Sequence, residues 1–447
     1  MSSDTHPPRR DDSGELGAPN PGSPTADGGR AAPGMIIEDP APARAAPVGE
    51  SDRIIAIDVL RGFALLGILV VNIQSFSMID ASLFNPSVYG DLTGVNLWVW
   101  YATHIFFDTK FMTMFSMLFG AGILLMTSRA EDKGLRSRAI HYRRMGILIL
   151  FGLMHGYLLW TGDILFWYGM AGLLVYLFRK KSPRTLIVTG LVSLFIASAL
   201  LFMSGWSMQY WPEETVTNMS EGFSPPQEKV DEDLAAYRGS WLEQMPLRAT
   251  SAFSMNTFAF FFWGLWRVGG LMLIGMALYR LGVFSAGRSD RFYSVLIGVA
   301  AIVGIPTVVY GIRYNMGTGW DPRYIFFVGT QFNYWASVLM SLGWIGTVML
   351  VVKKGVLRGL TSRLAAVGRM ALTNYVLQTI ICTTIFFGHG LGLYGSVERW
   401  QQSLFVFAIW ILQLVVSPIW LRHFRFGPFE WLWRSMTYRT TQPIRRQ

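Results

Sequence analysis

The chain has 447 residues, of which 52% are hydrophobic, 15% aromatic and only 15% charged, with a formal net charge of +10. Its apolar residues fall in long runs that tile the chain from about residue 54 to 422, which excludes a set of soluble domains and predicts an all-α, polytopic transmembrane helical bundle. The basic residues sit at the ends of those runs, where membrane topology places them, so the charge does not point to nucleic acid; the single cysteine, Cys382, excludes an intramolecular disulfide and a cysteine-based metal cluster.

Residues 1–52 hold nine of the twenty prolines and almost no large apolar residues, which predicts a disordered tail. The first apolar run follows some fifty polar residues, so it reads as an uncleaved anchor rather than a secretory signal. From there about ten spans are expected, near 55–78, 105–127, 145–162, 164–178, 184–204, 257–280, 292–312, 325–351, 368–388 and 402–421, within a membrane domain covering 53–426. Lys and Arg fix the orientation: the tail and every second connection carry 29 of them, against six in the alternate connections. Both termini are therefore expected in the cytoplasm. The longest outer connection, 205–256, is acidic, and its part from Asp231 to Ala249 has the pattern of an amphipathic helix, serving as a solvated cap or as a substrate-facing lid. Residues 427–447 are expected to hold a helix lying on the cytoplasmic surface, rich in tryptophan from Phe429 to Tyr438. No internal repeat is visible, and Pro306 and Pro418 do not occupy equivalent positions in two halves, which counts against an inverted-repeat transporter.

Polar groups enter the bilayer on a few spans. On the first, Asp58 and Arg61 are one turn apart near the cytoplasmic end, as an interface-anchoring ion pair or as part of a site for an anionic substrate. Asn72 lies about 16 Å further along the same helix. The second span brings His104, Asp108 and Lys110 to its outer end, with His104 and Asp108 spaced to share a helix face. The third span contains His155, about 16 Å beyond Arg144, and no Asp, Glu, Lys or Arg lies between Met145 and Trp160. A histidine there is a functional candidate or a structural bridge between helices. Eight residues of straight helix would put Asp163 about 12 Å from it, too far for a bond, so a partner from another span is expected, with Asn72 at matching depth. Arg267 must face a partner or water rather than lipid, and Asn374 and Gln378 share one face, suited to interhelical hydrogen bonds.

Five strings, IDVLRGFALLGILVVNI (57–73), FDTKFMTMFSMLFGAGI (107–123), RRMGILILFGLMHGYLLWTGDIL (143–165), VGRMALTNYVLQTIICTTIFFGHGLGLYG (367–395) and GPFEWLWRSMTY (427–438), together resemble the YeiB-like bacterial membrane proteins, whose C-terminal half is domain of unknown function 418. The first span and the segment around Asp108 resemble more distantly the transmembrane acyltransferases of the heparan-glucosaminide N-acetyltransferase type. The resemblance implies a multi-pass protein of the bacterial plasma membrane and an acyl group moved from cytosolic acyl-coenzyme A to a hydroxyl or amine of an envelope glycan or lipid. The spacing of the catalytic histidine ahead of the aspartate in the heparan enzyme is not reproduced by His104, which leaves His104 and His155 as alternatives.

Acyl transfer needs a general base, an oxyanion donor and a basic mouth for the coenzyme A phosphates. His155 suits the first role and Asn72 or Lys110 the second; Arg61, Arg143, Arg144 and Arg369 would form the third. Asp58, Asp163, Arg267, Asn374 and Gln378 complete the candidate substrate-binding groups, and no metal ligand set is expected. A transporter or flippase using the same buried groups, and a non-catalytic membrane protein, are the competing readings. Reporter fusions after Leu135 or Arg358 should report the cytoplasm and fusions after Ser220 the outer side; an outer signal at Arg358 would overturn the orientation.

Overall fold

The computed structural model describes residues 55–446, so the expected disordered tail at 1–52 lies outside the described residues. Helices dominate, and among the described residues there is no β-strand, only an isolated bridge between Phe424 and Arg445. Among the described residues, seven helices are long and apolar enough to cross a membrane: α1 (Ile55–Ser77), the pair α2 (Gly94–Phe106) and α3 (Lys110–Asp132) counted as one, α6 (Pro183–Tyr210), α9 (Met245–Arg280), α10 (Asp290–Gly317), α11 (Pro322–Lys353) and α14 (Arg399–His423). Of the remaining expected spans, α4 (Ser137–Leu158) carries several arginines, while α5 (Leu165–Phe178) and α13 (Ala371–Phe386) are apolar but short. Exposed Val188, Leu191, Phe195 and Phe202 on α6, and Leu404, Phe407, Ile411 and Val415 on α14, give the bundle an apolar outer face suited to a bilayer.

Glycines let the helices approach. Gly120 on α3 and Gly275 on α9 meet where these helices cross: a Cβ at Gly120 would lie 2.0 Å from the Met272 carbonyl oxygen, and one at Gly275 1.9 Å from that of Met117. Gly62 on α1 faces the Leu364 carbonyl at 2.0 Å by the same measure, and Gly368 faces that of Asp58 at 1.9 Å. The second crossing involves α12 (Arg358–Arg369), a helix that covers most of what the sequence leaves as a connection at 353–369, and it brings Arg369 beside the start of α1.

The outer connection differs from its expected form. Instead of one amphipathic helix over 231–249 there are α7 (Glu213–Phe223), α8 (Gln227–Arg238) and the start of α9, with the chain breaking at Gly239. The Gly239 break lets Gln244 donate to the carbonyls of Tyr237 and Gly239, and lets Trp241 and Arg248 turn inward. Both donate to the Leu158 carbonyl, at 2.9 and 3.1 Å, and so cap the C-terminus of α4. Trp160 is buried against Phe76 with ring centroids 4.2 Å apart.

On α3, Gly122 has no atom within 4 Å of where a Cβ would stand, unlike Gly120 one turn-face away. Gly120→Ala and Gly275→Ala should each cost about 1 to 3 kcal/mol by forcing the crossing helices apart, while Gly122→Ala should leave thermal melting in detergent unchanged or slightly raised. Equal melting of all three would deny the tight crossing.

Candidate functional site

A cavity of about 240 Å³ runs between α1, α3, α4, α5 and α13, closed at one end by α15 (Pro428–Tyr438). On α3 it extends from Arg129 to Phe115, about 21 Å of helix, and on α1 from Asp58 to Ile68, about 15 Å. Its mouth gathers Arg61, Arg129, Arg144, Arg369, Arg425 and Arg434, with Asp58 and Glu430 as the carboxylates. Asp58 pairs with Arg61 at 2.9 Å, as the one-turn spacing predicts. Beyond the mouth the wall is apolar, formed by residues such as Leu65, Ile68, Phe115, Phe119 and Leu148, and it ends at Tyr168 and Tyr375. Three of the four arginines expected at a phosphate mouth are present. Arg143 is not among the lining residues, because its guanidinium donates to the Thr437 carbonyl at 2.7 Å. Arg129, Arg425 and Arg434 were not singled out by the sequence; each ends a run or lies in the terminal segment, where topology alone accounts for a basic residue.

α15 is fixed over this mouth. Arg144 stacks on Trp433, 4.2 Å from the ring centroid, and Trp433 donates its indole N–H to the Arg144 carbonyl. Glu430 accepts from the backbone N–H groups of Leu372 and Thr373 at 2.6 and 3.1 Å and from the Thr373 hydroxyl at 2.5 Å, so a carboxylate sits on the N-terminus of α13. Burial pushes the Glu430 carboxyl above the usual carboxylate range, opposed by those hydrogen bonds.

His155 lies just past the inner end of the cavity, its ring 5.0 Å from that of Tyr375. The expectation that Asp163 is out of reach fails, because α4 stops at Leu158 rather than running to 162. The Leu159 and Trp160 N–H groups both fold back onto the His155 carbonyl, and the chain reverses at Trp160–Asp163. Asp163 Oδ1 comes 3.0 Å from His155 Nδ1, an ion-pair contact not aligned as a hydrogen bond, while Asp163 Oδ2 accepts from Phe166 N–H and caps α5. Glycines on α4 leave room for this return: a Cβ at Gly152 would lie 2.2 Å from Phe166 N and 2.7 Å from Asp163 Oδ2. The other nitrogen, Nε2, lies 2.9 Å from the Thr379 hydroxyl of α13. Thr379, absent from the sequence reading, takes the place expected of Asn72. Asn72 itself is half-buried one turn beyond Ile68 and, among the described residues, has no hydrogen-bond partner.

A second polar cluster forms at the break between α2 and α3. Thr109 adopts φ 61°, a left-handed conformation unusual for a β-branched residue, and both Asp108 and Lys110 reach Asn333 of α11. Asn333 donates to Asp108 Oδ2 at 3.0 Å and accepts from Lys110 Nζ at 2.5 Å; Lys110 also donates to the His104 carbonyl, and Asp108 Oδ2 lies 3.0 Å from His104 Nδ1. Trp100 stacks on the imidazole at 5.3 Å. Lys110 is fully buried, five residues before Phe115 on α3, so this cluster stands about 7 Å beyond the cavity along that helix. Arg267 binds elsewhere: it bridges Thr113, Ser337 and the Tyr334 carbonyl and stacks on the Tyr334 ring. Asn374 and Gln378 join α13 to α14 through Ser417 and Gln413, as interhelical amides. None of these three lines the cavity.

The profile of the family described as protein of unknown function DUF418 matches residues 278–440. The uncharacterised protein YeiB of Escherichia coli (strain K12) is 31% identical over 403 residues, covering 88% of this chain and 98% of its own. The chain belongs to the YeiB-like DUF418 family. The uncharacterised protein YxaH of Bacillus subtilis (strain 168) is 32% identical over 418 residues, 90% of this chain and 98% of its own. An uncharacterised 39.9 kDa protein of the amylase 3′ region in Bacillus acidopullulyticus is 27% identical over 400 residues, 89% of this chain and 97% of its own. No solved structure matches the chain.

Because Asp163 both faces His155 and caps α5, its two substitutions should differ. Asp163→Ala removes the cap and the imidazole's partner and should cost about 2 kcal/mol or more, whereas Asp163→Asn keeps a capping oxygen and should cost less than half as much. Thermal melting in detergent reads the difference, and equal melting of the two variants would deny the capping role.

Proposed function

We propose that this YeiB-like protein is an integral membrane acyltransferase of the plasma membrane, taking an acyl group from cytosolic acyl-coenzyme A and passing it to a hydroxyl or amine of an envelope glycan or lipid. The observation that carries the reading is the order of environments along one cavity. Six arginines stand at the mouth, an apolar shaft follows, and Asn72, Lys110 and His155 lie about 6, 7 and 10 Å past its last lining residues along α1, α3 and α4. Phosphates suit the arginines, and an extended thioester arm suits the shaft. The Lys and Arg distribution supports a cytoplasmic mouth and cytoplasmic termini in this reading.

In this reading the acceptor hydroxyl or amine gives its proton to His155 as its oxygen or nitrogen bonds to the thioester carbonyl carbon. Asp163 holds the imidazole in place. The collapsing intermediate breaks the carbon–sulfur bond, and the coenzyme A thiolate takes up the proton, leaving an ester or amide and free thiol. Asn72, with its amide uncommitted, is the better oxyanion donor, since Lys110 already serves Asn333 and the His104 carbonyl. His104, oriented by Asp108, is the alternative base.

Purified protein given acyl-coenzyme A and an envelope extract should release free thiol in step with an acylated product. His155→Gln should lower that rate roughly 10²- to 10⁴-fold with melting preserved. Gly122 lines the cavity with open space where a Cβ would stand, so Gly122→Leu should narrow the shaft and abolish turnover in a well-folded protein. Full turnover in His155→Gln would move the role to His104, and solute uptake into proteoliposomes without thioester consumption would favour a transporter.

A further inference from the structure

The terminal helix α15 contributes one face to the cavity: Glu430, Trp433, Arg434, Thr437 and Tyr438 recur at helical spacing and line it. The helix is joined to the bundle through a short segment containing Gly427. A Cβ at Gly427 would lie 2.3 Å from Glu430 Oε2 and 2.5 Å from the Thr373 hydroxyl, so the glycine lets the two helix starts touch. There the bonding is reciprocal: Thr373 donates to Glu430 Oε2, accepts from Phe429 N–H, and shares the Glu430 carboxylate with the α13 backbone. The N-terminus of a helix, bordered here by Arg369, is a place where a phosphate would bind, and a side-chain carboxylate of the protein occupies it.

We propose that α15 is a lid over the anion-binding mouth and that Glu430 is its latch, an internal anion that a ligand's phosphate displaces as the lid opens. The latch follows from the geometry alone; the identity of the displacing ligand rests on the acyl-coenzyme A reading above. Besides Glu430 and the Phe429 N–H on the Thr373 hydroxyl, three contacts hold the lid closed, namely the Arg144–Trp433 stack, the Trp433 indole N–H on the Arg144 carbonyl and the Arg143 guanidinium on the Thr437 carbonyl. All three attach to α4, whereas Glu430 attaches to α13. Loss of Glu430 therefore leaves the start of α15 held to α13 by the Phe429 N–H bond while its far end remains docked on α4, which describes a hinged lid rather than a detached tail.

The single native cysteine, Cys382, is fully buried, so an introduced thiol can report on the lid. Ala371→Cys places a small thiol on the cavity wall at the start of α13, where Glu430 docks, 9% exposed when the lid is closed. Maleimide labelling of this thiol without ligand should be about ten-fold faster or more when Glu430→Gln is added, as expected for loss of a charge-assisted latch. Thr373→Val, which keeps Glu430 and removes one of its partners, should move the rate the same way by a smaller factor and serves if Glu430→Gln does not fold. Coenzyme A, measured by calorimetry, should bind about ten-fold tighter to Glu430→Gln because it no longer competes with the carboxylate. Faster labelling with no coenzyme A binding to either form would uphold the latch and remove the acyl-coenzyme A reading. Unchanged labelling in well-folded Glu430→Gln and Thr373→Val would overturn the latch, whatever coenzyme A does.

Discussion

A buried imidazole among apolar helices needs a partner for each nitrogen, and meeting that need at His155 organises the centre of this protein. One partner comes from the chain's own reversal and the other from a helix more than two hundred residues later. Asp163 reaches His155 only because α4 ends within a turn of it and because Gly152 leaves room for the returning backbone. The same carboxylate caps α5, so the placement of that helix and the orientation of the imidazole are set together. Trp241, from the connection between α8 and α9, and Arg248, at the start of α9, close the carbonyl at the end of α4 and hold the reversal from the other side. Three regions distant in sequence thus converge on one ionisable group, the arrangement expected where burial is costly unless it is compensated.

The arginine-lined mouth poses the opposite electrostatic problem. Six guanidiniums bordering one narrow space repel one another, and two carboxylates, Asp58 and Glu430, stand among them. Asp58 is paired with Arg61, while Glu430 is committed to the α13 backbone and Thr373. The entrance thus carries a surplus of positive charge and leads into an apolar shaft. The terminal helix brings both a counter-charge and a physical cover to this entrance. Its tryptophans serve protein contacts: Trp433 under Arg144, and Trp431 donating to the Gln442 carbonyl.

Much of the architecture was legible in sequence. Apolar runs marked the helices, the i, i+3 spacing of Asp58 and Arg61 and the i, i+4 spacing of His104 and Asp108 gave local contacts, and the amides of α13 were recognisable as interhelical glue. These features depend on helical periodicity, which spacing alone encodes. What failed did so for a physical reason. The separation of His155 from Asp163 assumed a continuous helix, and no residue in the HGYLLWTGD stretch marks Leu158 as its end. The stop is imposed by Trp160 packing on Phe76 and by side chains from a remote connection.

Composition and spacing by themselves determined that this is a multi-pass helical protein, which residues carry ionisable groups into its apolar interior, and where basic residues concentrate along the chain. Tertiary structure decided which of those groups meet. It joined Thr379 to His155 and Asn333 to Lys110, withdrew Arg267 into a structural link, and replaced Arg143 at the mouth with arginines from three other segments. The reason is that periodicity fixes neighbours within a helix, whereas contacts between helices depend on how closely the backbones approach. That approach is governed by glycines such as Gly62, Gly120, Gly275 and Gly368, and each glycine has its effect only against the particular carbonyl it meets.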